Sequence, residues 1–206
     1  KVRAISREQV ARLLSPKSVA VIGVSERPGT AGRNAITTLD AYGYKGDIHI
    51  VARNAREIDG RAAVASVAEL PNGIDLAVLT VPNASVPETV EALAKKRVGG
   101  IMCFASGFAE VGGEMAGVQD KLAHIAHAND IAFAGPNCLG FTNLVANLQI
   151  TFMASRPLQL PPTDARIDVV AQSGGLAGVI SRAASHEGVG FSYSITTGNE
   201  AVLGLE

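Results

Sequence analysis

The chain has 206 residues, of which 47% are hydrophobic and 18% charged, and its formal net charge is −1. An apolar share near one half can fill a core, which excludes a disordered chain, and this length allows one large domain with part of another. The small net charge provides no field that would attract nucleic acid or an anionic membrane, and the apolar runs are far shorter than the roughly 18–20 residues of a membrane span.

The two cysteines, Cys103 and Cys138, lie in separate apolar segments. Two isolated thiols in a chain of this size are typical of a reducing compartment, so we expect a cytoplasmic protein without disulfides. The sequence contains no C-x-x-C motif and no His-rich cluster, and it therefore predicts no structural metal site.

Short runs rich in Val and Ile alternate with segments of helical period, and this alternation predicts an α/β fold with a parallel sheet. Ser6 and Gln9 form a possible capping box for the first helix, and Ser85 and Glu88 form one for a later helix. In chain order the predicted elements are helix Arg7–Leu14, strand Val19–Ile22, helix Ala31–Tyr42, strands Asp47–Val51 and Asp75–Val81, a helix from Ser85 to Arg97, strand Gly100–Ala105, helix Glu114–Ala128 and strand Ile131–Ala134.

The alternation stops after residue 143, in a segment that contains three prolines and has one possible short strand near Gln149–Phe152. A second α/β unit is predicted from strand Ile167–Ala171, through a helix that ends near Glu187, to strand Phe191–Ile195. We therefore expect three parts: a first domain over 1–145, a connector over 146–165, and the beginning of a second, truncated α/β domain over 166–206.

The glycine-rich segment Gly23–Gly32 lies between the first predicted strand and its helix. In an open parallel sheet this is where phosphate binds, because backbone amides and the helix N-terminus point at the anion. The spacing differs from the dinucleotide fingerprint G-x-G-x-x-G, so the segment predicts a phosphate site but identifies no particular nucleotide. A plain strand-to-helix turn is the alternative.

The residues that follow the second predicted strand indicate which nucleotide could bind. An NAD site needs a carboxylate there, whereas this chain has Arg53 and Arg56. A guanidinium suits a ribose that carries a phosphate, which indicates NADP or coenzyme A (CoA). The alternative is that each arginine is a solvated surface charge.

The later strands also end in turns, which should open onto the same crevice, because the carboxyl ends of parallel strands meet at one edge. Ser173–Gly175 begins another helix after another strand and predicts a second anion site. No His or acidic residue lies at a spacing from Cys138 that indicates activation of its thiol, which favours a packed thiol over a nucleophile.

Several motifs together resemble those of the NDP-forming acyl-CoA synthetases, relatives of the succinyl-CoA synthetase alpha subunit. They occur in that family's order and rough spacing across residues 10–206, which makes the set more specific than any one motif. The matching segments are Leu14–Ser25, Ser106–Glu110, Gly135–Gly140, Gln172–Gly174 and Gly198–Ala201.

The resemblance implies an acid–thiol ligase whose CoA-binding domain has a Rossmann-like, doubly wound parallel sheet and is followed by flavodoxin-like α/β domains. Such a ligase converts an acid, CoA and ATP into acyl-CoA, ADP and phosphate, through an acyl phosphate and a phosphohistidine. The implied partners are CoA, a small carboxylic acid and an ATP-grasp domain or subunit that binds ATP and Mg²⁺, with association into a homo-oligomer possible and with no nucleic acid or membrane.

The resemblance also assigns roles to individual residues. The argument from charge adds Arg53 to this set. No catalytic residue and no metal ligand is assigned within the chain. The set comprises Gly23, Ser25, Arg27, Pro28 and Gly29 for the CoA phosphates, Val81, Pro82, Ser106, Gly107 and Phe108 beside adenine and pantetheine, Asn137 and Cys138 near the thiol, and Ser173, Gly174 and Gly175 facing the phosphohistidine.

Two departures from the family affect these expectations. Ala52-Arg53 stands where the family usually has Asn-Pro, so the adenosine end of the site is expected to differ. The phosphohistidine and the ATP-grasp part would lie beyond Glu206, so the chain as given should bind CoA without completing catalysis. Two alternatives remain: a regulatory half of a protein lysine acetyltransferase that senses CoA or acyl-CoA, and an NADP-dependent oxidoreductase.

Overall fold

Short buried strands and amphipathic helices alternate along the chain, and the computed structural model describes them over residues 4–153 and 167–205. The helices are α1 (Arg7–Leu14), α2 (Ala31–Ala41), α3 (Val86–Lys95), α4 (Glu114–Ala128) and α5 (Gly174–His186). The strands are β1 (Ser18–Ile22), β2 (Asp47–Val51), β3 (Glu57–Ile58), β4 (Arg61–Val64), β5 (Leu76–Leu79), β6 (Gly100–Cys103), β7 (Ala132–Ala134), β8 (Phe141–Asn143), β9 (Leu148–Ile150), β10 (Asp168–Ala171) and β11 (Tyr193–Thr196).

The main sheet has seven strands in the order β3-β4-β2-β1-β5-β6-β7. All of its pairs are parallel except the β3–β4 hairpin. Strands β5, β6 and β7 are buried along their whole length, as the continuous apolar runs predicted. One apolar layer contains α1 and α2 and another contains α3 and α4, so the doubly wound fold is confirmed.

The β3–β4 hairpin was missed by the sequence analysis, although it carries a recognisable signal. Its two-residue turn is Asp59-Gly60, and both residues have positive φ, +50° and +76°. This is the geometry of a type I′ turn, for which Asp-Gly is a preferred pair. The strands were overlooked because they contain only two and four residues.

The two predicted capping boxes had different outcomes. The Ser6 hydroxyl accepts a hydrogen bond from the Gln9 amide at 3.4 Å, as expected for an N-cap. The Ser6 amide donates to Asp130 and not to the Gln9 side chain, so only half of this capping box forms. The prediction for α3 was wrong, because Ser85 has helical backbone angles and caps nothing with its side chain. A 3₁₀ turn over Asn83–Ser85 runs directly into α3, and the Ser85 carbonyl accepts from the Thr89 hydroxyl at 2.7 Å.

A second sheet of four strands, in the order β10-β11-β8-β9, follows the first. β10 and β11 are parallel and connected through α5, which agrees with the predicted second α/β unit. β9 lies inside the predicted connector and pairs with β8, while residues 154–165 of that connector lie outside the described part. The boundaries proposed between the three parts stay predictions.

The chain beyond β11 returns to the edge of the first sheet. The Gly135 amide donates to the Thr197 carbonyl, the Ala201 amide donates to the Gly135 carbonyl, and the Leu203 amide donates to the Phe133 carbonyl, at 3.1–3.2 Å. These backbone bonds fix the turn after β11 beside the turn after β7. Residues from the second unit are thereby placed at the carboxyl end of the first sheet.

Candidate functional site

A cavity of about 910 Å³ opens at the carboxyl ends of β1, β2, β4 and β5. The strand order reverses between β1 and β5, and ligands of doubly wound proteins bind at such a switch point. Six of the predicted cofactor-binding residues line it: Gly23, Ser25, Arg27, Arg53, Val81 and Pro82.

Hydrogen bonds at both ends hold the glycine turn between β1 and α2 in place. The amides of Gly23 and Val24 both donate to the Val51 carbonyl at 3.0 Å, which joins the turn to the end of β2. At the other end, Arg33 donates to the Glu26 carbonyl at 2.9 Å. The turn is therefore preorganised beside the cavity.

Gly23 is a position where a side chain would not fit. Its φ is +91°, and a Cβ would lie 2.7 Å from Cγ1 of Val81. The close contact brings the turn after β1 against the end of β5, as expected if both line one crevice. A glycine at this position therefore serves both the backbone conformation and the packing.

The N-terminus of α2 lies at the end of the same turn. The Thr30 side chain does not cap this helix, and its hydroxyl instead donates to the Arg27 carbonyl at 3.0 Å. The Ser25 hydroxyl accepts from the Arg27 amide at 3.1 Å. A helix start without a side-chain cap leaves its first amides without a side-chain acceptor, as an anion site requires. The residues of the turn that line the cavity end at Arg27, so these amides lie beside the cavity and not in its lining.

In the turns after β6 and β7, polar groups are hydrogen-bonded within the protein. Gly107 and Phe108 donate their amides to the Glu110 carboxylate, which also accepts from the Asn199 side chain. The Asn199 side chain further donates to the side-chain oxygen of Gln119 at 3.0 Å and accepts from the Asn137 side chain at 3.2 Å. We call Glu110, Gln119, Asn137 and Asn199 the polar cluster. It joins helix α4 and the turns after β6 and β7 to the turn after β11.

The hydrogen bonds around Glu110 set the ionisation of its carboxylate. Partial burial raises the pKa of Glu110, but hydrogen bonds from the Gly107 amide, the Asn199 side chain and the Phe108 amide outweigh it, so the pKa is lowered overall. The carboxylate therefore stays charged at neutral pH and keeps accepting from all three donors.

Both cysteines are core residues. Cys138 is 3% exposed, and burial raises the pKa of its thiol to about 12. Burial likewise raises the pKa of the Cys103 thiol to about 12. Both thiols are protonated at neutral pH, which fits the expectation of a packed thiol at Cys138 rather than a nucleophile.

Some predicted residues lie outside the cavity. Pro28 and Gly29 belong to the glycine turn but do not line the cavity, and Ser106, Gly107, Phe108, Asn137 and Cys138 follow β6 and β7. The Phe108 side chain is fully buried, so a ligand contact at this position would come from the backbone. Gly107 approaches the loop after β5, since a Cβ there would lie 2.6 Å from Nδ2 of Asn83.

The second predicted anion site lies at the start of α5. Ser173 is the N-cap of this helix, and its hydroxyl accepts from the Leu176 amide at 3.4 Å. Gly174 contacts Leu139, because a Cβ there would lie 2.2 Å from Cγ of that leucine. Gly175 has no such neighbour and faces more open space.

The sequence analysis missed the walls of the cavity on two sides. Ala65–Ala68, which follows β4, lines it, as do Glu88 and Thr89 of α3. The Asp59-Gly60 turn signal would have located β4 and hence the first wall. No signal distinguished Glu88 from other exposed acidic residues.

Two absences hold for the described residues. In residues 4–153 and 167–205, no helix is long and apolar enough to cross a membrane. In the same ranges, no three His, Cys, Asp or Glu side chains are grouped so that they could hold a metal ion.

Comparison with known proteins gives consistent matches. The family model described as a CoA binding domain matches residues 17–143. A trans-feruloyl-CoA synthase, FCS1, from an unknown prokaryotic organism is 42% identical over 205 residues, which cover 99% of this chain and 29% of that protein. An ADP-forming 4-hydroxybutyrate–CoA ligase from Nitrosopumilus maritimus is 36% identical over 191 residues, or 93% of this chain and 27% of that protein.

A solved structure has the same architecture. It is the dinucleotide-forming acetyl-coenzyme A synthetase 1 of Ca. Korarchaeum cryptofilum, in complex with phosphate and ADP. The TM-score is 0.83 at 29% identity, over 95% of this chain and 41% of that one. The chain thus spans less than a third of the two relatives described above and less than half of this structure.

Proposed function

The chain belongs to the family of CoA binding domains, and on that premise we propose that the crevice at the ends of β1, β2, β4 and β5 binds CoA. The observation that supports this most strongly is the glycine turn: it is hydrogen-bonded in place beside a cavity of about 910 Å³, and the uncapped start of α2 lies at its end. The CoA diphosphate would bind to the amides of this turn.

We further propose that CoA extends along the carboxyl edge of the sheet. Val81 and Pro82 line the cavity at the end of β5, and Gly107 approaches the same loop. The pantetheine arm would pass these residues and Ser106, and its thiol would end near the turn that contains Asn137 and Cys138. Phe108 and Cys138 would contribute through their backbone, since both side chains are buried.

The proposed activity of the whole protein is that of an ADP-forming acyl-CoA synthetase, in the cytoplasm. Both relatives described above are named as CoA synthase or CoA ligase, and this chain corresponds to less than a third of each. The ATP-dependent steps would need an ATP-grasp domain or subunit with ATP and Mg²⁺. Ser173, Gly174 and Gly175 would then direct the start of α5 towards a phosphohistidine.

A thermal-shift comparison of CoA with NADPH tests the ligand. A ligand that binds only the folded state stabilises it by about 2.7 kcal/mol at one hundred times its Kd. We expect CoA to raise the melting temperature of the 206-residue chain and NADPH to leave it unchanged. Stabilisation by NADPH alone would contradict the proposal and favour an oxidoreductase.

An assay of ADP release tests whether the ATP-dependent steps need more than these 206 residues. The 206-residue chain is mixed with a carboxylic acid, CoA and ATP, and ADP is measured. We expect CoA binding by calorimetry and no ADP release, since the proposed ATP-grasp part is not among these residues. ADP release by this chain alone would contradict the proposal that the ATP-dependent steps need a separate ATP-grasp part.

A further inference from the structure

The arginines near the crevice fall into two groups. Arg33 is paired with Asp59 at 2.6 Å, and Arg61 is paired with Asp40 through two hydrogen bonds of 2.8 and 2.9 Å. Arg53 lines the cavity, and within the described part of the chain its side chain has neither an ion pair nor a hydrogen-bonded partner. Its guanidinium is exposed and available to a ligand.

The backbone that carries Arg53 is fixed on both sides. The Ala52 amide donates to the Val64 carbonyl at 2.9 Å, and the Ala52 side chain is 1% exposed. Three residues after Arg53, the Arg56 carbonyl accepts from the Ala63 amide at 2.8 Å. The backbone beneath this cation is thus already ordered, and only the Arg53 side chain loses freedom when it binds an anion.

Arg27 is the other exposed arginine of this cavity, and its side chain also has no ion pair among the described residues. It lies in the glycine turn, whereas Arg53 lies two residues beyond Val51, at the end of β2. Two free cations at different places in one cavity fit a ligand that carries phosphate at two places. In a doubly wound sheet the end of β2 is where the ribose of a nucleotide lies.

Two carboxylates limit where the second phosphate can bind. Glu26 belongs to the glycine turn, and Glu88 lies in the first turn of α3, on the β5 side of the cavity. β1 separates the β5 side from the β2 side, where Arg53 lies. A phosphate on the ribose is therefore favoured beside Arg53 and disfavoured beside Glu88.

We propose that Arg53 binds the 3′-phosphate of the CoA ribose and makes this crevice selective for CoA over dephospho-CoA, which lacks that phosphate. The guanidinium presents two parallel N–H groups, and these match two oxygens of a phosphate. The proposal rests on the proposed function that the crevice binds CoA. It adds a specificity-determining residue to that site.

Calorimetric titration of the 206-residue chain with CoA and with dephospho-CoA tests the proposal. We expect the chain to bind CoA at least about tenfold more tightly. Arg53→Gln should weaken CoA binding to the level of dephospho-CoA and leave dephospho-CoA binding unchanged. Arg53→Lys, which keeps the charge but not the two-pronged geometry, should give an intermediate loss.

Arg56→Gln is the matched control, because Arg56 is exposed, lies three residues away and does not line the cavity. It should leave both affinities unchanged. An equal loss for both ligands in Arg53→Gln, or an equal affinity of the unmodified chain for both, would overturn the role of Arg53 while leaving the proposed function intact. The absence of binding to either ligand by the unmodified chain would refute the proposed function, and this proposal with it.

Discussion

The two ends of the crevice differ in how their polar groups are used. At the ends of β1 and β2, Arg27 and Arg53 face a cavity without an ion pair among the described residues, and α2 begins without a side-chain cap. At the ends of β6 and β7, the polar cluster is internally hydrogen-bonded and includes Asn199 from the turn after β11. The first end has groups left for a ligand, while the second uses its groups to fix one part of the chain against another.

This difference implies that residues at the two ends should respond differently to substitution. Changes in the polar cluster or its supporting turns should alter the free energy of unfolding, because each removes a bond within the protein. Changes around the cavity should alter affinity for the ligand with little effect on folding, because those side chains are exposed and have few partners. Three substitutions test this contrast.

The largest effect is expected for Gly198→Ala. Gly198 has φ of +63°, and a Cβ there would lie 2.3 Å from the Pro136 carbonyl oxygen and 2.7 Å from that of Asn137. The turn after β11 must therefore move away from the turn after β7. We expect a loss of about 3 kcal/mol in the free energy of unfolding, measured with urea.

Gly188→Ala is its control. Gly188 has a similar φ of +72°, but a Cβ there would meet nothing within 4 Å. It should lose only the conformational cost of about 1 kcal/mol. Equal losses for the two variants would show that the close approach at residue 198 does not contribute to stability.

A smaller effect is expected for Glu110→Gln. The substitution replaces a carboxylate that accepts from three donors, and we expect a loss of about 1 kcal/mol at pH 7, since the side chain is largely exposed. Because the pKa of Glu110 is lower in the folded state than in the unfolded state, its contribution is present above the unfolded pKa. It is lost as the pH falls through the folded pKa.

The difference in unfolding free energy between the unmodified chain and Glu110→Gln should therefore shrink between pH 7 and pH 3. Glu114→Gln is the control, because Glu114 is exposed and its side chain has no hydrogen-bonded partner in the described residues. Its difference should be small across the same pH range. A difference for Glu110→Gln that stays constant with pH would contradict the ionised, hydrogen-bonded state.

The location of the two ends of the crevice was accessible from the sequence, because it depends on where the strands end. Buried runs such as Val19–Ile22 located the parallel strands, and the order of strands and turns placed Gly23 and Val81 at one edge. Such predictions need only local periodicity and the rule that carboxyl ends of parallel strands meet.

The pairing of particular side chains was not accessible. Arg53 and Arg56 carry the same charge after β2, and only the structure shows that one lines the cavity and the other does not. Glu110 and Asn199 are 89 residues apart, and their contact depends on how the turn after β11 packs against β7. Contacts between distant segments follow from tertiary packing, for which a single sequence carries no periodic signal.

The smallest effect is expected for Glu88→Gln, and it tests the ligand-facing end of the crevice. Glu88 lines the cavity and is exposed, so its charge should repel a polyanionic ligand only weakly through solvent. Removing that charge should tighten CoA binding about twofold at low ionic strength, with a smaller gain as salt is added. Glu91→Gln, an exposed position on the same helix that does not line the cavity, should show a smaller change. Weaker CoA binding in Glu88→Gln would instead mean that this carboxylate accepts a hydrogen bond from the ligand, and the cavity would then recognise CoA through its acidic side as well as through its arginines.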